Sequence, residues 1–214
     1  MNGRWVAGCA AAETIGIGTA AAAATVATRL GDQRVAWGLT LVVIGGLVEG
    51  AALGVLQSRA LPEGLGRSPR RRWLVATVAV AGLGWAAASA PSALADDDDA
   101  TSPPWAVVVL GAALLGALMG AGLGLVQGWS VRRAVTHPWR WVRASTAGWA
   151  CAMPVIFAGA TSAGADWGLP SLVLLGAATG ALAGTVLGLV TGGPASRDLG
   201  PLDPGPVAVG ARPA

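Results

Sequence analysis

The sequence predicts an all-α membrane protein, a six-transmembrane-helix bundle built from three parallel two-helix repeats. Three observations predict it. Of 214 residues, 54% are hydrophobic, 33 are glycine and only 12% are charged, about half the charge of an ordinary soluble chain. Six apolar runs of 21 to 24 residues follow one another, separated by more polar connections. At 1.5 Å per residue each run spans ~30–36 Å, enough to cross a hydrocarbon core of ~30 Å. Finally, tryptophan, glycine and glutamine positions recur along the chain in matching register. Backbone amides in lipid have to be paired internally, so the runs are helices; the short alternating strands of a barrel are absent from the pattern.

The first run, residues 5–28, opens at Trp5 behind Arg4. Val6-Ala7-Gly8-Cys9 has the hydrophobic-small-small-Cys form of a lipoprotein cleavage site, but no apolar region precedes it, and Glu13 interrupts the run. The first helix is therefore expected to stay uncleaved. The second run, 35–57, carries Gly46, Gly50 and Gly54 and ends at Gln57; the third, 73–94, opens at Trp73 behind Arg70, Arg71 and Arg72. The fourth, 105–127, carries Gly116, Gly120 and Gly124 and ends at Gln127. Arg132, Arg133 and Arg140 precede the fifth, 141–164, where Pro154 removes one helical hydrogen bond and predicts a kink. The sixth, 171–191, carries Gly180, Gly184 and Gly188, with Gly176 extending the row, and ends at Thr191. Residues 192–214, rich in Pro and Gly, read as a flexible cytoplasmic tail.

Charge sets the orientation. All fourteen basic residues are Arg, and with both termini inside, twelve fall on the cytoplasmic side against Arg29 and Arg34 outside. The outer side carries Asp32, Asp96 to Asp99 and Asp166. This asymmetry predicts an inner-membrane protein with both termini cytoplasmic. It also accounts for the high pI without nucleic-acid binding, which would need a dedicated basic face. Arg70, Arg71, Arg72, Arg132 and Arg133 are placed to meet anionic lipid headgroups.

The repeat unit is a helical hairpin. Trp5, Trp73 and Trp141 open the odd-numbered runs at intervals of 68 residues, and the glycine triplets of the even runs are offset by 70 and 64. Residues four apart share a helix face, so each triplet forms a smooth groove for another backbone. The expected arrangement gathers the even helices at the centre and sets the Trp-led odd helices outside, with assembly onto other chains through the glycine faces a further use of them. Trp5, Trp37, Trp73, Trp105, Trp129, Trp139, Trp141 and Trp167 lie near run ends and read as an aromatic belt at headgroup level.

Gly54-Val55-Leu56-Gln57, the basic turn, Trp73-Leu74-Val75-Ala76-Thr77 and Gly84-Trp85 are matched by a second series. It comprises Gly124-Leu125-Val126-Gln127, Arg132-Arg133, Trp141-Val142-Arg143-Ala144-Ser145 and Gly148-Trp149. Over residues 46 to 150 the pattern resembles a group of uncharacterised bacterial multi-pass membrane proteins with repeated Gly-rich, Gln-ended helices and basic cytoplasmic turns. That group continues Gln with Trp, where this chain has Ser58 and Gly128. The resemblance implies a bacterial membrane protein and carries no activity with it.

Glu13 and Glu49 are the ionisable residues well inside the runs, and each falls ~13–15 Å from the cytoplasmic arginines, close to the bilayer midplane. Charge at that depth costs at least ~2.5 kcal/mol and marks a functional candidate. Two neighbouring carboxylates can share a proton, hold a monovalent cation, or hydrogen-bond as packing glue between helices, and the sequence leaves these open. A small proton- or cation-coupled transporter and a non-enzymatic structural component are accordingly the two functional expectations. No enzyme is expected. His137 stands alone in its turn, Cys9 and Cys151 lie on separate runs, and the glycines are spaced for helices, so no zinc site, catalytic triad or phosphate loop can be assembled. The Asp96–Asp99 run lacks the spacing of a calcium loop. Neither a metal nor a cofactor is called for.

Overall fold

The computed structural model describes residues 3–30, 35–94, 104–164 and 166–202. They form six helices: α1 (Gly3–Leu30), α2 (Val35–Ala60), α3 (Arg67–Leu94), α4 (Trp105–Val131), α5 (Pro138–Thr161) and α6 (Leu169–Asp198). Four of them, α1, α2, α4 and α6, are long and apolar enough to cross a membrane. α5 has similar length but begins with Arg140 and Arg143 in its first two turns. Leu110, Leu114 and Leu118 of α4 and Leu174 and Leu182 of α6 point outward, whereas Glu13, Glu49, Gln57 and Gln127 are buried. Apolar outside and polar inside suits a lipid surround, and the chain is a membrane protein in that sense.

Helix ends follow local chemistry. Pro138 occupies the first turn of α5 and Pro170 that of α6, where a missing N–H costs nothing. Gly64 holds φ +103° in the α2–α3 turn, a conformation only glycine adopts freely. Arg70 closes that turn: its guanidinium donates to the carbonyl oxygens of Leu61 at 3.0 Å, Pro62 at 2.9 Å and Ser58, and its Nε to Leu65 at 3.0 Å. α5 runs on through Pro154 as one helix.

The substantial helix contacts form a closed cycle, α1–α2–α3–α4–α5–α6 and back to α1. This overturns the expectation that the even helices gather at the centre. Each glycine row instead faces an odd-numbered helix. A Cβ added at Gly54 would lie 3.2 Å from Cα of Leu74, at Gly124 2.8 Å from Cα of Val142, and at Gly188 2.7 Å from Cα of Val6. One turn further along, Gly120 and Gly184 meet the backbone carbonyls of Ser145 and Cys9, and Gly50 lies by Val78 and the carbonyl of Thr77. An even helix with a smooth face gains most van der Waals contact from a partner with bulk, which the Trp-led helices offer.

The expected start of the tail at residue 192 also needs correction. α6 continues through Pro194 to Asp198. Residues 198–202 then bond to the α4–α5 turn: His137 N–H to Asp198 O at 3.0 Å, Thr136 N–H to Gly200 O at 3.1 Å, and Leu202 N–H to Ala134 O at 3.2 Å. Backbone hydrogen bonds here hold a segment whose side chains carry little apolar signal. The remainder of the tail, and Asp96–Asp99, lie outside the described residues.

Candidate functional site

Three tryptophans meet on the axis of the ring at its arginine-rich end. Ring centroids of Trp73 and Trp141 are 5.4 Å apart, Trp5 and Trp141 5.6 Å, and Trp5 and Trp73 6.4 Å. These are edge or tilted contacts of the kind aromatic quadrupoles favour. All three are essentially inaccessible to solvent, which overturns the aromatic-belt expectation for them. Trp37, Trp105, Trp129, Trp139 and Trp167 are exposed near helix ends.

Burying an indole requires an acceptor for its N–H. Trp73 donates to Oε1 of Gln57 at 3.2 Å, Trp141 to Oε1 of Gln127 at 2.9 Å, and Trp5 to Oγ1 of Thr191 at 2.9 Å. The polar residue ending each glycine row is thus the acceptor for a tryptophan opening an odd helix. Gln127 donates onward to Thr77 Oγ1 at 2.9 Å and Gln57 Oε1 at 3.3 Å, and Gln57 Nε2 reaches the Cys9 sulfur at 3.7 Å. Tryptophan spacing and glutamine positions were both visible in the sequence. Their pairing was not, because hydropathy places a Trp at a helix end in headgroups whether it faces lipid or the axis.

Glu13 and Glu49 stand farther into the membrane. Glu13 is eight residues beyond Trp5 and Glu49 eight before Gln57, so both lie ~12 Å from the tryptophan cluster along their helices. The structure brings them together: Glu49 is near enough to Glu13 for their charges to interact. The approach depends on Gly16, one turn from Glu13, because a Cβ there would lie 2.7 Å from the Glu49 Cβ. Glu49 Oε2 accepts from Trp85 Nε1 at 2.7 Å. Glu13 is 1% exposed, and neither of its carboxyl oxygens has a hydrogen-bond partner. Its backbone carbonyl faces Gly180 of α6.

Glu49 also borders a cavity of ≈ 490 Å³ between α2, α3, α4 and α5. Its walls run from Thr77 to Ser89 along α3, ~18 Å of helix. A second cavity of ≈ 580 Å³ lies at the arginine-rich end, between α5 and α6, and is lined by His137, Arg140, Arg143, Arg197 and Asp198. Of the arginines expected at lipid headgroups, Arg71, Arg72 and Arg133 are exposed. Arg132 stacks on Trp129 at 4.3 Å from the ring centroid, and Arg70 is spent on the carbonyls of its own turn. Among the described residues no three His, Cys, Asp or Glu side chains converge as metal ligands.

Comparison with known proteins finds no matching family model, no matching curated protein and no matching solved structure.

Proposed function

We propose that the chain is a bacterial inner-membrane protein of six spans and three parallel hairpin repeats, both termini cytoplasmic, that binds a proton or monovalent cation at Glu13 and Glu49 and moves it across the membrane. It acts as a small transporter or channel and not as an enzyme. One observation carries this reading: the Glu13 carboxyl is buried with neither oxygen partnered. An ionised carboxylate in that position needs a counter-cation or a proton, and an intramembrane acid with no structural bond to make is functional by default.

The repeat is supported by the equivalence of contacts. Gly54, Gly124 and Gly188 each receive the residue that follows a helix-opening tryptophan, and Gln57, Gln127 and Thr191 each accept that tryptophan's N–H. The arginines collected at that end support its cytoplasmic placement. Anionic lipid at Arg71, Arg72, Arg132 and Arg133 belongs to the same proposal.

A structural component packed through its GxxxG faces is the second reading, favoured by the closely packed ring and its satisfied Trp–Gln network. Assembly with other chains through those faces is weakened, however, because all three rows are occupied by helices of this chain. Purified protein in liposomes, with an imposed pH or cation gradient, separates the two. Wild type is expected to dissipate the gradient, and Glu13→Gln and Glu49→Gln each to slow it at least tenfold. Flux equal in wild type, both variants and empty liposomes would leave the structural reading.

A further inference from the structure

We propose that the cavity between α2, α3, α4 and α5 binds a lipophilic organic cation, with Glu49 as its counter-charge. The proposal rests on the reading of Glu49 as an ion-binding carboxylate and names the class of ion its cavity accepts. At ≈ 490 Å³ the cavity has the size of a small-molecule site. Its wall is made of groups that adapt to bulky apolar ligands: Met119 and Met153, whose thioethers fill irregular gaps, with Trp149 and Phe157 beside them. Against that wall stands a single ionisable group, Glu49.

The chemistry narrows the occupant. An anion would meet the carboxylate and no compensating positive charge. A bare metal cation would give up its water for too few oxygens, since hard cations such as calcium take six to eight; besides Glu49 the wall has the hydroxyls of Thr77 and Ser89. The Thr77 hydroxyl already donates to Trp73 O and accepts from Gln127. A neutral apolar molecule would leave the carboxylate unanswered. A cation whose charge is spread over an aromatic or aliphatic body satisfies both features. It sheds little hydration on entry, covers the apolar wall and places its charge near the carboxylate. Trp85, whose N–H is held by Glu49, and Trp149 supply aromatic rings for cation–π contact. A lipid acyl chain would fill the same space without using the charge, and it is the competing occupant.

Tetraphenylphosphonium tests this, titrated against the full chain in lipid nanodiscs with binding read by calorimetry and tryptophan fluorescence. Saturable binding is expected in wild type, at least tenfold weaker in Glu49→Gln, which keeps shape and removes charge. Leu115→Trp, which fills the cavity and leaves the carboxylate, should weaken it comparably. Absence of saturable binding in wild type overturns the proposal. So does equal binding by Glu49→Gln or by a neutral tetraphenyl analogue, either of which assigns the cavity to lipid tails. Proton or cation flux on the same preparations reports the carboxyl pair separately. Flux without tetraphenylphosphonium binding removes only the ligand class; binding without flux supports the cavity site and removes the transport reading.

Discussion

Gln127 donates to Thr77 of α3 and Gln57 of α2 and accepts from Trp141 of α5, so one side chain of α4 joins three neighbours. Glu13, buried just as deeply, joins none. The contrast gives a paired prediction. Gln127→Leu strands the Trp141 N–H and removes a donor from Thr77, at a cost of about 1–3 kcal/mol for a buried orphan. Glu13→Met removes a polar group that bonds nothing, so stability should hold or rise while flux is lost. Denaturant unfolding in detergent, followed by tryptophan fluorescence, measures both. A fall in stability for Glu13→Met as large as that for Gln127→Leu would mean the carboxyl is structural. The depth of Glu13 and Glu49 was legible from counting residues to the nearest arginine. Their difference was not, because whether a carboxyl finds a partner depends on Trp85, a residue 36 positions from Glu49 with no motif linking them.

Within an element, two glycines of the same helix can have opposite roles, and α4 shows it. At Gly120 an added Cβ would lie 2.5 Å from the Ser145 carbonyl oxygen and 2.8 Å from the Trp149 Cβ; at Gly122 it would meet nothing within 4 Å. Gly120→Ala therefore has to push α4 off α5, and overpacking of that sort costs ~1–3 kcal/mol. Gly122→Ala should be neutral or stabilising by up to ~1 kcal/mol, the helix-propensity gain of alanine over glycine. Unfolding midpoints of the two variants check this; similar values would show that the α4–α5 contact is looser than its geometry. The four-residue spacing announced that Gly116, Gly120 and Gly124 share a face. It could not say which helix that face meets, because a groove is equally open to an even or an odd partner. Helix limits drawn by polarity also stopped short. α3 begins at Arg67, six residues before Trp73, and α6 ends seven after Thr191, since backbone bonding continues through arginine, serine and even Pro194 once the preceding turn is formed.

At the scale of the molecule, the decisive contact is the one that closes the ring, α1 on α6. A hairpin repeat alone permits an open row of three units, in which α1 and α6 would each leave a face to lipid. Closure is what brings Trp5 onto Thr191 and Trp141, places Glu13 beside Gly180, and turns three edges into one axis. The Cβ of a residue at Gly18 would stand 3.5 Å from that of Ala177, within the ~3.5–4.5 Å a disulfide requires. With Cys9 and Cys151 replaced by alanine, Gly18→Cys/Ala177→Cys should therefore crosslink within the monomer on mild oxidation and shift its gel mobility. Gly38→Cys paired with Ala27→Cys, whose Cβ atoms would be 3.4 Å apart across the α1–α2 turn, is the control that an open row also satisfies. If the control pair closes and the α1–α6 pair forms only dimers, the ring is completed between chains. If the α1–α6 pair forms no disulfide at all, the row is open. In either case the tryptophan axis and the Glu13 environment would have to be rebuilt from a second copy or from lipid. An intramolecular bond formed as readily as in the control fixes them in one chain, with Glu13 sealed between α1, α2 and α6.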